Sequence, residues 1–431
     1  MLNKKIVLIF VFAFLIRLIA LNQSLWLDES VMANVIKNLE LSQIISKFSL
    51  NDFHPPLYYL FMKLWTNLFG YSEVALRMPS VLFSLLTGYV VYLIGGVWSA
   101  VFFLFNPLVI YYSQEARMYM MATFFLTGGL YFLLKKNKNI FLFSLFLILS
   151  FYTFYGSIFL IVTMLLYLLF KKQYKVFIVS FFLFLVSFIL ISPLLYQQFL
   201  HSKISLAQVT NWSLVLGKAN IKNLLLIPIK FSIGRISFYP KWLYWGIAGI
   251  WIGFILFTIK SVLNKSVFYL FIFPLVLGFL VSFFAPMLQY FRFIYLIPLM
   301  SLLLSSNLQN LASYNLRGWI LATVFLIFSL VYLLNPAFHR EDWKSLTKSL
   351  PKNRPIYMIK ASSDPIKYYS NKLVIKELRM MDYELRKQEI VIIPYTADIY
   401  GLDYKNDLRK IGYQLKKEVS FREVTYEQWI K

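Results

Sequence analysis

Apolar residues in this chain come in long unbroken runs, not in the one-face pattern of soluble helices or the alternation of half-buried strands. Eleven runs stand out, at residues 5–22, 74–95, 97–112, 119–134, 139–155, 157–170, 174–193, 242–260, 266–285, 291–306 and 317–334. About 20 mainly apolar residues cross the hydrocarbon of a bilayer as a helix. Each run therefore predicts a membrane-spanning helix, in which the backbone satisfies its own hydrogen bonds where no water can. Two long connections, 23–73 and 194–241, interrupt the series. From Asn335 onward the pattern becomes charged and alternating. Short apolar runs at Ile356–Ile359, Leu373–Ile375 and Ile390–Ile393 read as strands. They alternate with helical stretches near 342–350 and 403–411, which predicts a small α/β domain with its own modest core. The expected architecture is an all-α polytopic membrane protein over residues 1–334, followed by a C-terminal α/β domain over 335–431. There is no internal repeat and no low-complexity segment beyond the spans.

Composition supports the membrane class. The 431 residues are 59% hydrophobic, 19% aromatic and 14% charged, whereas soluble domains carry about a quarter charged residues. A net charge of +24 in a soluble chain would suggest nucleic acid. Here the lysines sit at the ends of apolar runs, so no nucleic-acid partner is expected, and the charge sets orientation in a lipid bilayer. With no cysteine, thiolate metal sites, thiol nucleophiles and disulfides are excluded. The three histidines (His54, His201, His339) make a multi-histidine metal site unexpected. The first run begins with Lys4-Lys5 and shows no small-residue cleavage site, so it reads as a retained span.

Orientation follows from the lysines. With the N-terminus in the cytoplasm, the inner connections contain Lys4-Lys5, the Gly95-Gly96 link, Lys135-Lys136-Lys138, Lys171-Lys172-Lys175, Lys260-Lys265 and the stretch before Arg317. The outer turns Tyr155-Gly156 and Ala285–Gln289 carry no lysine or arginine. That asymmetry satisfies the positive-inside rule. Eleven spans then put both long connections and the C-terminal domain outside, which makes the protein a multi-pass protein of the plasma (cytoplasmic) membrane.

On that outer side the costly residues collect. A charge at a helix centre costs about 2.5–3.5 kcal/mol on insertion scales, so charges near the membrane carry information. Trp26-Leu27-Asp28-Glu29-Ser30 follows the first span, and Asp52-Phe53-His54-Pro55-Pro56-Leu57-Tyr58-Tyr59 lies in the same connection. Glu73 and Arg77 open the second span. Tyr111-Tyr112-Ser113-Gln114-Glu115-Ala116-Arg117-Met118-Tyr119 turns between the third and fourth, and Arg292 opens the tenth. Structural roles stand beside functional ones. Asp28 is a good N-cap for a helix starting at Glu29. His54 can end an extended segment before two prolines. Arg77 can pair with Glu73 one turn away, and Arg77 and Arg292 can snorkel to headgroups. Arg17, inside the first span, either snorkels or meets a buried acid. Glu115 and Arg117 are two apart, a spacing that does not face on a helix. The Tyr and Trp residues mostly anchor at the interface.

This inventory suits one chemistry in particular. A sugar on a polyprenyl phosphate leaves behind a phosphate that is already anionic and needs no proton. One general base suffices to deprotonate the acceptor hydroxyl, with cations to hold the phosphate. A glycosidase needs an acid as well. No Asp-x-Asp and no Gly-rich phosphate loop occurs, which disfavours a nucleotide-sugar donor. The scheme requires no cofactor, although the acids could take a divalent metal.

The runs Leu25–Glu29, His54–Leu60, Ala75–Ser80 and Tyr111–Tyr119, in this order and spacing, resemble the bacterial branch of the protein O-mannosyltransferase superfamily. That branch is similar to the aminoarabinose-to-lipid A transferases and the RgtA/B/C/D-like glycosyltransferases of the GT-C fold. The tail motif Arg340-Glu341-Asp342-Trp343-Lys344 also resembles the family. The likeness is close over residues 25–120 and loose elsewhere. It implies a GT-C-like fold and an inverting transfer from a polyprenyl-phosphate sugar to an acceptor glycan, lipid or protein hydroxyl. It further implies that Asp28, of the Asp28-Glu29 pair, is the catalytic base. Donor-phosphate and substrate binding would fall to His54, Tyr58, Arg77, Glu115, Arg117, Tyr119 and Arg292. Members with a second aspartate after the third-span arginine differ here, where Ala122 and Thr123 stand, and Glu115 is the substitute. The extra soluble domains of the eukaryotic O-mannosyl members are missing, which weakens a Ser/Thr-protein acceptor. The alternatives are a transporter or flippase, disfavoured by charges at one edge and the missing repeat, and a surface-glycan ligase or polymerase.

Overall fold

The computed structural model describes residues 4–135, 139–260, 264–306, 314–352, 354–379 and 389–431. Lys136, Lys138 and residues 307–313, assigned above to the inner side, lie outside the described residues. All eleven apolar runs are mostly helical where described, from Lys4–Leu18 to Tyr314–Leu334. Four helices are long and apolar enough to cross a membrane (Glu73–Leu104, Tyr174–Gln208, Lys241–Ile259, Leu316–Leu334), with shorter apolar helices beside them. Leu8, Leu15, Phe182, Leu190, Trp242 and Ile250 point outward on these helices. An apolar exterior of this kind faces lipid.

The second and third runs form one continuous element that folds back on itself. At the Gly95-Gly96 link, Gly96 has φ +77°, a left-handed conformation that glycine adopts without a Cβ clash. The chain then returns alongside itself, so that a Cβ on Gly88 would strike the Leu104 side chain. Arg17 fastens this hairpin to the first helix. Its guanidinium is fully buried and meets no acid among the described residues: it donates to Ser84 Oγ (2.9 Å), Ala13 O (2.8 Å) and Leu104 O (2.8 Å). Asn106 then caps Pro107–Ser113, its side chain accepting from Leu108 N and Val109 N.

Both long connections are more ordered than their polarity suggests. Residues 23–73 hold the helices Leu27–Asn38 and Leu57–Phe69. The seventh run continues to Gln208, and Ile221–Ile233 is helical, so 194–241 is helical over most of its length.

The C-terminal domain is a five-stranded mixed sheet: β1 (Ile356–Met358), β2 (Ile375–Glu377), β3 (Glu389–Ile392), β4 (Gln414–Phe421) and β5 (Val424–Ile430), in the order β2-β1-β3-β5-β4. β1 runs parallel to β2 and β3, and β5 is antiparallel to β3 and β4. The helices Trp343–Ser349 and Tyr404–Lys410 fall where the sequence predicts them. Trp343, Ile356, Met358 and Val391 are central to one apolar cluster and Tyr357, Ile390 and Trp429 to another. The domain is fastened to one end of the helical bundle. Lys344 N donates to Ser24 Oγ (3.1 Å), Leu25 N to Tyr369 OH (2.8 Å) and Asn34 Nδ2 to Asp364 Oδ1 (2.9 Å), with Lys344 paired to Glu73 (2.8 Å).

Candidate active site

Asp28 sits in the first turn of the helix Leu27–Asn38, where a carboxylate is favoured by the helix dipole. The N-cap is Trp26, so Asp28 is not the cap. Its side chain instead meets Arg117, Oδ2 to Nη2 at 3.3 Å. With 37% of its side chain accessible it is the open acid of the cluster, while Arg117 is nearly closed off at 7%. Arg117 Nη2 lies 3.5 Å from His54 Nε2, and His54 Nδ1 lies 3.5 Å from Asp52 Oδ1. The four side chains form one line, with an acid at each end and Arg117 and His54 between them. Burial opposes ionisation of Asp52, but His54 above all, then Phe53 N–H and Arg117, outweigh it and hold the carboxyl below the ordinary range. Burial likewise opposes the charge on Arg117, and Asp28, Tyr119, Tyr59 and Asp52 outweigh it and keep the guanidinium charged. Arg117 Nε has no partner among the described residues.

His54 is held by its backbone. Gln198, on the extended seventh helix, donates to His54 O (3.0 Å) and Ser49 O (2.7 Å), and Tyr155 OH donates to Gln198 Oε1 (2.8 Å). Pro55 and Pro56 follow and the helix Leu57–Phe69 begins, as proline stereochemistry predicts. Tyr58 on its first turn is buried, its hydroxyl without a partner among the described residues. Tyr119 opens the fourth helix; its ring packs on Phe154 and Phe291, each at 5.7 Å, with the Arg117 guanidinium 6.0 Å from its centroid. Arg292 follows Phe291, the residue whose ring packs on Tyr119.

Three expectations are corrected. Arg77 neither snorkels nor pairs with Glu73, and it does not stand free for a phosphate. It is 1% exposed and locked against Glu29, through Nε to Oε1 (2.9 Å) and Nη2 to Oε2 (2.6 Å), with further bonds to the carbonyls of Leu21, Gln23 and Ser24. Glu29 is correspondingly saturated, since it also accepts from Ala116 N (2.7 Å) and Trp26 N (3.3 Å). The Glu29–Arg77 pair thus ties the Asp28 helix to the second span and to the Glu115–Arg117 turn. Glu115 does not pair with Arg117: its Oε1 accepts from Arg340 Nε (2.8 Å) and Nη2 (2.6 Å), while its Oε2 has no partner among the described residues. Arg340 stacks on Trp26 at 3.8 Å.

Arg340 and Arg235 are site residues to which the sequence assigns no role, although Arg340 belongs to the tail motif. They line a cavity of about 320 Å³ together with Tyr111, Ser237 and His339, and Arg235 donates to the Tyr111 hydroxyl. Their partners lie more than a hundred residues away, so local spacing carries no signal of them. Among the described residues no group of three His, Asp or Glu side chains is placed to hold a metal ion.

A bundle of apolar helices, a charged cluster at one end of it and a sheet domain clamped over that end make up a GT-C-like fold. Residues 53–196, a third of the chain, match the family model described as dolichyl-phosphate-mannose-protein mannosyltransferase. The whole chain shares its fold with ArnT, the aminoarabinose transferase of Cupriavidus metallidurans. The likeness to the apo state has a TM-score of 0.59 at 12% identity, covering 98% of this chain and 97% of that one. ArnT bound to undecaprenyl phosphate gives 0.62 at 12% identity, over 99% and 98%. No curated protein sequence matches the chain.

Proposed function

We propose that this protein transfers a sugar from a polyprenyl-phosphate donor to an acceptor hydroxyl at the extracytoplasmic face of the plasma membrane, with inversion and with Asp28 as general base. The observation that carries the proposal is the pairing of the open Asp28 carboxylate with a buried arginine that keeps one free N–H, at the mouth of a helical bundle. The donor's prenyl chain lies in the bilayer and its phosphate meets Arg117, His54 and Arg292. A phosphate on Arg117 competes with Asp28 for that guanidinium and frees the carboxylate for the acceptor. The acceptor oxygen attacks the anomeric carbon as Asp28 removes its proton. The bond from that carbon to the phosphate oxygen breaks, and the electron pair leaves with the polyprenyl phosphate. Because this leaving group is anionic, the arginines act by charge stabilisation and no acid is needed. Glu29 acts by position, holding Asp28 through Arg77 and Ala116. The undecaprenyl phosphate bound in the ArnT structure is a polyprenyl phosphate, the chemical class of the leaving group in this scheme.

The test is turnover. Purified protein in detergent is given a panel of radiolabelled polyprenyl-phosphate hexoses and pentoses. Release or transfer of sugar from one of them is the expected result; binding of donors with no turnover, together with their movement across vesicles, would favour a carrier instead.

A further inference from the structure

Arg235 and Arg340 reach one ring from two distant parts of the chain. Tyr111 lies on the helix Pro107–Ser113; the Arg235 guanidinium stands 4.8 Å from its ring centroid and the Arg340 guanidinium 5.5 Å. Arg235 also donates to the Tyr111 hydroxyl. Gly234 delivers Arg235 to this place. Its φ is +77°, and a Cβ added to it would stand 2.9 Å from that of Pro107, at the start of the same helix. Arg340 comes from the junction between the last span and the sheet domain. Two guanidinium groups beside one ring repel each other, and they are not equally compensated. Arg340 turns Nε and Nη2 to Glu115 Oε1 and makes no Nη1 hydrogen bond among the described residues, whereas Arg235 pairs with no carboxylate among them.

Both arginines line the cavity of about 320 Å³ described above, with Ser237 and Glu423 also in its wall. Lys241 Nζ donates to Ser237 Oγ (3.3 Å) and Arg422 Nε to Arg340 O (2.6 Å), so two further cations stand beside it. These four cations stand against two acids, Glu115, which is already paired, and the exposed Glu423. The excess favours an anion that accepts several N–H bonds at once, which is the chemistry of a phosphate. The surroundings put that phosphate on a lipid. Ala337 and Phe338 of the wall follow the apolar helix that ends at Leu334, and Ser237 precedes the one that begins at Lys241; both are long enough to cross a membrane. Leu334 (67% exposed), Tyr239 (83%) and Trp242 (74%) project outward there. Such an apolar and aromatic surface beside basic groups suits the level where headgroups meet hydrocarbon.

We infer that Arg235 and Arg340 form a headgroup site for an anionic phospholipid of the surrounding bilayer, its phosphodiester held by the two guanidinium groups and its acyl chains lying on the apolar surface beside Leu334. The site is separate from that of the donor phosphate, which falls to Arg117, His54 and Arg292 in the proposal above, and it does not depend on the transfer reaction. A bound headgroup ties the 194–241 connection to the sheet domain, because Arg235 belongs to the one and Arg340 leads into the other.

Equilibrium binding to the full-length protein in an uncharged detergent tests it, with dioctanoyl phosphatidylglycerol, dioctanoyl phosphatidylcholine, inorganic phosphate and undecaprenyl phosphate as ligands. Wild type should bind phosphatidylglycerol about fivefold more tightly than the zwitterionic phosphatidylcholine. Arg235→Gln should weaken phosphatidylglycerol binding by about tenfold, the size of one lost charge-assisted hydrogen bond. Glu423→Gln removes an exposed acid from the wall and leaves the core untouched; it should tighten the same binding about threefold, and it decides the matter if Arg235→Gln does not fold. Equal affinity for the two phospholipids, normal binding by Arg235→Gln, or no tightening in Glu423→Gln would overturn the site. Inorganic phosphate bound as tightly as phosphatidylglycerol would overturn its assignment to a lipid. Displacement of phosphatidylglycerol by an equimolar amount of undecaprenyl phosphate would make this the donor's own site and overturn the inference as well.

Discussion

Glu29 and Asp28 are neighbours in sequence with opposite environments. Glu29 is fully buried against Arg77, whereas Asp28 is the open acid. Removing one partner of a buried pair leaves an uncompensated charge, at about 3–5 kcal/mol. Arg77→Met should therefore lower the thermal midpoint of the detergent-solubilised protein sharply, while adding Glu29→Met should restore part of the loss. Additive losses would show that the two side chains act independently. Glu341 gives a pH signature. Burial holds its carboxyl above the ordinary value of 4.5 despite Arg340. A group whose folded pKa is raised contributes stability that is complete below the unfolded pKa and is lost as pH rises through the folded one. Relative to wild type, Glu341→Gln should thus be more stabilising at pH 8 than at pH 4. An equal difference at both pH values, read by thermal unfolding, would contradict the raised pKa. The charged residues were legible because charge beside hydrocarbon is rare, so Asp28, His54 and Arg117 stood out and the structure brings them together. Their partnerships were not legible: Glu115 meets Arg340 across 225 positions, and no local spacing encodes that contact.

At the scale of elements, the long apolar runs made the spans legible, and Tyr119–Leu134 has the predicted bounds. Strands β4 and β5 escaped. β4 is a mostly exposed edge strand bearing Lys416 and Lys417, and only Val419 and Phe421 near its end pack against the core, so its apolar face is short; the alternation in β5 is broken by Glu427. That acid is buried because Tyr404, Trp429 and Lys405 satisfy it. Inside 23–73 the helix expected to start at Glu29 is Leu27–Asn38, whereas the helix Ile221–Ile233 inside 194–241 escaped because a polar connection between spans reads as a loop. Arg17 shows how one residue organises several elements, clasping the first helix to both arms of the Gly96 hairpin. Hydrogen bonds to charged groups contribute about 1.5–3 kcal/mol each, set against the desolvation of a lone guanidinium. With three such bonds the bonds should win, and Arg17→Met should cost roughly 2 kcal/mol in a reversible denaturation. Unchanged or raised stability would mean that desolvation dominates.

At the scale of the molecule, the bundle supplies the lipid-facing body, the connection 23–73 carries Asp28, the proposed base, and the C-terminal domain reaches the cluster through Arg340. Catalysis on this account needs all three, and the base is its centre. The most direct measurement compares single-turnover sugar release by wild type and Asp28→Asn, with donor affinity and thermal midpoint measured on the same preparations. Loss of a positioned general base typically costs about 10²–10⁴-fold in rate. The account predicts a loss of that size with donor still bound and the fold intact. Release by Asp28→Asn at the wild-type rate would contradict it.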